Sequence, residues 1–240
     1  MAKFKKNLSA KEKFKAYENV FDDSTLRAIY KLSCQKYFDE LKGTVKIGKE
    51  ANVFFALKGN KKVIVKIYRK SSNFKKMFFY MASDPRFAGL KRNKMNIIQT
   101  WAKKEYRNLM KARSAGIKVP SPHVAYKNMV VMDFIGNGGP AKQLNKQKPL
   151  EPQKFYEKLI KSLKDLYHKA NLVHADISEF NILNLDEEPI MIDFSHAVTL
   201  KYPNAKGLLE RDIKNLVRFF NKQGLRLNAE EELKKCLNKN

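Results

Sequence analysis

The sequence has little of what staples small secreted domains or carries a chain into a membrane. There are 2 cysteines in 240 residues, Cys34 and Cys236, and neither has a second thiol or a histidine nearby at metal-ligand spacing. That excludes a disulfide framework and a structural zinc site, and it points to reduced thiols in a cytoplasmic protein. Apolar runs such as Met77 to Ala82 fall far short of the roughly 20 residues that cross a bilayer, so no membrane span is expected. The basic opening, MAKFKKNLSAKEKFKAYENVF, has no continuous apolar core and reads as neither signal peptide nor anchor. Internal repeats and low-complexity linkers are absent. With 43% hydrophobic residues, 10 Gly and 8 Pro, the composition is that of a globular chain with a substantial core.

Negative charge is also scarce. Against 49 Lys and Arg stand 24 Asp and Glu, a formal net charge of +25. Such a field attracts polyanions, whether RNA, DNA or an anionic membrane surface. It peaks over residues 61–107, where 14 basic residues meet only Asp84 and Glu105. Within that region KSSNFKKMFFYMASDPRFAGLKRNK interleaves basic residues with Phe74, Phe78, Phe79, Tyr80 and Phe87. This connection far exceeds the usual length of about 4 to 6 residues. Its mixture suits phosphate contacts with base stacking, and equally suits aromatics packed on a neighbouring lobe. A segment mobile alone and ordered by a ligand is expected.

Residues 1–43 read as a charged helical lead-in, with Phe14, Tyr17, Val20 and Phe21 as a weak stripe. From Thr44 the pattern turns to β: TVKIG, NVFFAL and KVIVKIY predict three antiparallel strands, the last two joined by KGN. Ile98, Trp101, Leu109 and Ala112 predict a helix over 94–112. HVAYKNMVVMDFIG reads as strand, turn and strand, and a boundary near residue 136 divides 44–135 from 136–240. Phe155, Leu159, Leu163, Leu166 and Ala170 then predict a second long helix, followed by a loop and two short strands, NILNL and IMIDF.

Several polar residues sit where these patterns leave no solvent. Lys66 shares a strand face with Ile64 and Tyr68, while Val63, Val65 and Ile67 occupy the other. Its ammonium needs an anion or a route to water. Glu105 lies four residues from both Trp101 and Leu109, on the apolar stripe of its helix, and so asks for a cation. Together they describe a strand lysine held by a helix glutamate and offered to a phosphate. The loop Gly48, Lys49, Glu50, Ala51, Asn52 carries one glycine, which fits a phosphate cradle or an ordinary hairpin. In LVHADISEFNILNLDEEPIMIDF, Asn181 and Asp193 offer oxygen ligands for Mg²⁺, with Mn²⁺ as a substitute, beside nucleotide phosphates. Asp176 stays free to take a proton from an attacking group, and His174 reads as scaffold.

These motifs resemble the protein-kinase fold: H-x-D-x-x-x-x-N, then I-D-F, preceded by a strand lysine and a helix glutamate. GKEANV, WAKKEYRNL, LVHADISEFNIL and IDFSHAV are most similar to the RIO family of atypical serine/threonine kinases, first subfamily, over roughly residues 44–220. The resemblance implies an α+β, two-lobed fold with a small β-rich N-lobe and a truncated, mainly helical C-lobe. It implies that Gly48 to Asn52 cover the phosphates of ATP, that Lys66 contacts them, and that Glu105 positions Lys66. Met132, Asp133 and Ile135 would belong to an adenine-binding hinge. Asp176 would be catalytic, Asn181 and Asp193 metal ligands, and Asp212 a brace for the catalytic loop. It further implies action on pre-small-subunit ribosomal particles, with Asp193 as a candidate phosphoryl acceptor.

Departures from ordinary protein kinases shape the expectation. Ala175 replaces the arginine of H-R-D, Asp193 is followed by Phe-Ser, no A-P-E occurs, and 47 residues follow Asp193. Peptide docking and a phosphorylated activation loop are therefore not expected. Two other readings compete: a small-molecule phosphotransferase of the aminoglycoside or choline kinase type, and a nucleotide-insensitive RNA-binding scaffold.

Overall fold

The computed structural model describes residues 21–71 and 73–238. The stripe expected from Phe14, Tyr17 and Val20 lies outside them. Helix α1 (Asp23–Cys34) starts where Asp22 Oδ1 accepts from the amides of Ser24 and Thr25, both at 3.1 Å. Ala28, Ile29 and Leu32 form its buried face. Phe21 precedes the helix and packs edge-on against Phe54.

Strands β1 (Glu40–Ile47), β2 (Ala51–Lys58), β3 (Lys61–Tyr68), β4 (Pro122–Tyr126) and β5 (Met129–Asp133) form one antiparallel sheet, ordered β1-β2-β3-β5-β4. β1 opens at Glu40, ahead of the boundary expected at 43/44, because buried Leu41 pairs with Ala56. Gly59, at φ +56°, turns β2 into β3 with a backbone that side chains resist. The central strand is apolar on both faces because each is covered. Val63, Val65 and Ile67 pack with α1, Phe38 and Leu41; Tyr68 joins the larger core on the opposite side.

The long basic connection is built as helix α2 (Phe74–Ala82) and a 3₁₀ turn (Pro85–Phe87). Met77, Met81 and Phe87 are buried in the main core, with Phe74, Phe78 and Tyr80 packed partly against it. Of the two readings of its aromatics, packing on the neighbouring core is the one seen here: Met77 and Met81 lie one helical turn apart and anchor the segment. Of its aromatics, Phe79 is 60% exposed. Helix α3 (Lys94–Ser114) follows, with Asn93 Oδ1 capping it by accepting from the Asn96 amide at 3.1 Å. Ile98, Trp101, Glu105, Leu109 and Ala112 are buried as the spacing predicts, and so are Lys104 and Asn108.

The second half holds α4 (Pro152–His168), α5 (Ala205–Asn221) and α6 (Ala229–Leu237). Around them lie two small sheets, β6 (Lys142–Gln143) with β8 (Ile182–Leu185) and β9 (Glu188–Met191), and β7 (Leu172–Val173) with β10 (Val198–Thr199). Phe155, Leu159, Leu163 and Leu166 are buried on α4, and Ala170 is buried just beyond its end. The turn between β8 and β9 is made by Asp186 and Glu187, both at positive φ, with Pro189 already paired in β9. β9 ends at Met191, so Asp193 lies in the loop past the strand rather than at its end. One core runs from α3 through α4 and α5, joining the halves. Among the described residues no helix is long and apolar enough to cross a membrane.

Candidate active site

β3 and α3 bring Lys66 and Glu105 together, and the loop after β9 adds Asp193. Lys66 Nζ donates to Glu105 Oε1 at 2.7 Å and to Asp193 Oδ1 at 2.8 Å. Tyr68, on the same strand face, donates its hydroxyl to Glu105 Oε2 at 2.5 Å. Burial alone would strip the Lys66 proton, but Asp193 and Glu105 reverse this and raise the ammonium above its ordinary range. Burial likewise works against the Asp193 charge, yet Lys66 wins and holds that carboxyl well below the usual range. Glu105 is raised by burial, with Lys66 opposing. One ammonium between two carboxylates leaves an excess of negative charge that a second cation would balance.

Asp176 stands beside this group. Asn181 Nδ2 donates to the Asp176 carbonyl at 2.8 Å and to its Oδ2 at 2.9 Å, so the Asn181 amide oxygen turns away from Asp176. Desolvation and the nearby Asp193 charge raise the Asp176 carboxyl. Ala175 and Asp193 both sit at φ +63°, a conformation that costs a non-glycine residue about 1 to 3 kcal/mol and persists only when neighbours enforce it. At Ala175 the enforcement comes from α5. Asp212 Oδ2 accepts from the Ala175 amide at 2.7 Å and its Oδ1 from the Ile177 amide at 3.0 Å, while Arg211 donates to the Ala175 carbonyl. Burial pushes Asp212 up to about 7 against the pull of those two amides. His174 is scaffold: its Nε2 lies 3.0 Å from the Ile192 carbonyl and its ring stands edge-on to Phe194. Burial lowers it to about 4, so the ring is neutral.

A cavity of about 420 Å³ opens between the sheet and the second half. Val53, Ile64, Leu183 and Ile192 give it an apolar interior, and Lys66, Asn181 and Asp193 a polar end. Of the expected hinge, Asp133 and Ile135 line it together with Phe134, whereas Met132 is buried in the main core. The Gly48–Asn52 loop forms no part of the wall; Val45, Lys46 and Val53 on either side do. Gly48 is required by a close turn, since a Cβ there would meet the Ala51 carbonyl at 2.8 Å. Lys49 is exposed and Ala51 is in the core. Asn52 faces a separate cavity with Asp22, Thr25 and Lys70, because alternation along β2 sends it away from Val53. Burial, and then the Asp193 charge, raise the Glu50 carboxyl.

Among the described residues no cluster of three or more His, Cys, Asp or Glu side chains is set to hold a metal. Asn181 and Asp193 nonetheless offer two oxygen donors at one end of the cavity, beside uncompensated negative charge. That donor set fits Mg²⁺, which takes one or two protein oxygens and completes its shell with phosphates and water.

The RIO domain family matches residues 52–233. The RIO-type serine/threonine-protein kinase Rio1 of Haloferax volcanii is 40% identical over 224 residues, spanning 92% of this chain and 77% of that protein. The chain belongs to the RIO family of serine/threonine-protein kinases. Rio1 of Methanocaldococcus jannaschii is also 40% identical, over 92% of this chain and 76% of its own. The RIO fold itself appears in the Rio2 kinase–ADP/Mg²⁺–phosphoaspartate complex from Chaetomium thermophilum, with a TM-score of 0.67 at 22% identity. That match covers 88% of this RIO chain and 65% of the other.

Proposed function

We propose that this RIO kinase binds Mg²⁺–ATP in the 420 Å³ cavity and acts as a phosphotransferase and ATP hydrolase. The observation that carries the reading is the Lys66 ammonium held between Glu105 and Asp193 at the polar end of an apolar cavity. Val53 and Ile64 on one side and Leu183 and Ile192 on the other enclose adenine, with the backbone of 133–135 at its edge. Lys66 contacts the phosphates and Glu105 keeps it there. Val45, Lys46 and Val53, which flank the Gly48–Asn52 turn and line the cavity, cover the nucleotide from the sheet side, and the turn itself closes over the phosphates only by moving toward them. Asn181 and Asp193 hold the Mg²⁺, whose chemistry is to neutralise charge on the transferring phosphoryl group. Asp176 orients the attacking hydroxyl and accepts its proton, a task its raised pKa favours.

Asp193 is also proposed as a transient phosphoryl acceptor. Its carboxylate oxygen attacks the γ-phosphorus, the bond to the β–γ bridging oxygen breaks, ADP leaves, and water later cleaves the acyl phosphate. Support comes from the phosphoaspartate named for the related Rio2 complex. Family membership favours this reading over an aminoglycoside or choline kinase activity, and the charge of +25 is compatible with a polyanionic partner such as the RNA of a pre-small-subunit ribosomal particle.

ATP turnover with and without purified small-subunit precursors, with labelled phosphate traced, tests the proposal. Particle-stimulated release of phosphate, lost in Asp176→Ala and Asp193→Ala, is expected. A wild-type protein that binds no nucleotide in the presence of Mg²⁺ would refute it. A labelled enzyme resistant to hydroxylamine would refute the aspartyl phosphate alone.

A further inference from the structure

Four consecutive backbone carbonyls follow Asp193, and each accepts a hydrogen bond from a side chain of the first half. Asn108 Nδ2 donates to the Phe194 carbonyl at 2.9 Å and to that of Ala197 at 2.8 Å. Lys104 Nζ donates to Ser195 at 2.6 Å, and the Tyr80 hydroxyl to His196 at 2.7 Å. Arg86 Nη2 adds a second bond to Ala197 at 3.2 Å, while its Nη1 holds Asn108 Oδ1 at 2.7 Å. Arg86 is itself fixed by Asp84, which is 1% exposed and accepts from its Nε and Nη2.

This network is costly unless it does something. Lys104 is fully buried and makes no salt bridge among the described residues. Its Nζ instead donates to the Ser195 carbonyl and lies over the ring faces of Trp101 and Tyr80, at 5.0 and 5.2 Å. Burial, with Arg86 nearby, holds the Lys104 amine well below the ordinary lysine range, and a buried polar group of this kind costs free energy that an apolar residue of similar shape would avoid. What the network gains is a rigid loop next to Asp193, whose positive φ needs neighbours to enforce it.

We propose that Tyr80, Arg86, Lys104 and Asn108 are positioning residues that set the aim of Asp193 and thereby the affinity of the site for a divalent cation. The inference rests on reading Asp193 as a metal ligand. Outer partners of metal ligands change metal affinity by about 10- to 100-fold when removed. Free Mn²⁺, followed by electron paramagnetic resonance with ADP present, reads that affinity without turnover; calorimetry of ADP in chelator reads nucleotide binding alone.

Tyr80→Phe removes only a hydroxyl and Lys104→Met only the terminal amino group. In both, Mn²⁺ affinity should fall at least about 10-fold while metal-free ADP binding stays within about twofold of wild type. Wild-type Mn²⁺ affinity in both variants, or a parallel loss of Mn²⁺ and metal-free ADP binding, would overturn the proposal. Asp193→Asn separates the two levels: if it loses Mn²⁺ while the other variants do not, positioning fails and the metal reading stands. If Asp193→Asn itself keeps wild-type Mn²⁺ affinity, the metal reading fails and takes the proposal with it.

Discussion

The cation at the centre of the site is shared, and that sharing decides what its removal does. Lys66 is nearly buried and Glu105 fully so, whereas the Asp193 side chain is 37% exposed to the cavity. Taking Lys66 away leaves Glu105 as a buried carboxylate whose remaining hydrogen-bond partner among the described residues is Tyr68. Breaking such a pair from one side costs roughly 3 to 5 kcal/mol. Lys66→Met should therefore lower the unfolding free energy by about 3 kcal/mol at pH 7 in a urea titration, and Lys66→Met/Glu105→Gln should recover most of it. The pair was legible because alternation in the strand and spacing in the helix each put a charge on an apolar face. Tyr68 was not, since a tyrosine in a strand reads as packing. Lys104 and Asn108 were hidden for a related reason: they border a polar stretch of α3, and what buries them is the loop 194–197, distant in sequence.

At the scale of elements, α2 is the part that composition misrepresents. Its basic flanks and aromatics resemble an exposed binding segment, yet its methionines are core residues. Met81 is fully buried, so Met81→Ala should destabilise the whole protein by about 2 to 5 kcal/mol in equilibrium unfolding, with the cost set by how far the cavity collapses. An effect under about 0.5 kcal/mol would mean that α2 lies on the core without belonging to it. Elsewhere the strands, the hairpin at Gly59, and helices α3 and α4 follow from periods of two and 3.6 residues. Boundaries followed less well. β1 begins early because Leu41 finds a partner in β2, and β9 stops early because Asp193 needs a backbone conformation no strand allows.

For the molecule as a whole, pH acts on buried groups in opposite directions. Burial lowers both His174 and His196 from 6.5 to about 4, so the unfolded chain takes up their protons first. Their contribution is complete above pH 6.5 and is lost as pH falls toward 4. Asp212, raised from 3.8 to about 7, runs the other way: its folded form gains protons first as pH falls through that window. The histidine share is isolated by difference. His174→Phe removes a ring whose buried Nδ1 has no partner among the described residues, so wild type should lose up to about 3 kcal/mol relative to this variant between pH 7 and 4 in chemical denaturation. Parallel pH profiles for the two proteins would contradict this.

Trp101 is the single tryptophan of the chain. It is 1% exposed, its indole N–H has no acceptor among the described residues, and its ring stands edge-on to His196 at 5.1 Å and to Tyr80 at 5.8 Å. The chain thus carries one indole fluorophore, placed where α2, α3 and the loop after Asp193 touch. Any shift of that loop changes the surroundings of the only strong emitter, so its light reports on the Asp193 loop without a label and without a second tryptophan to blur the signal.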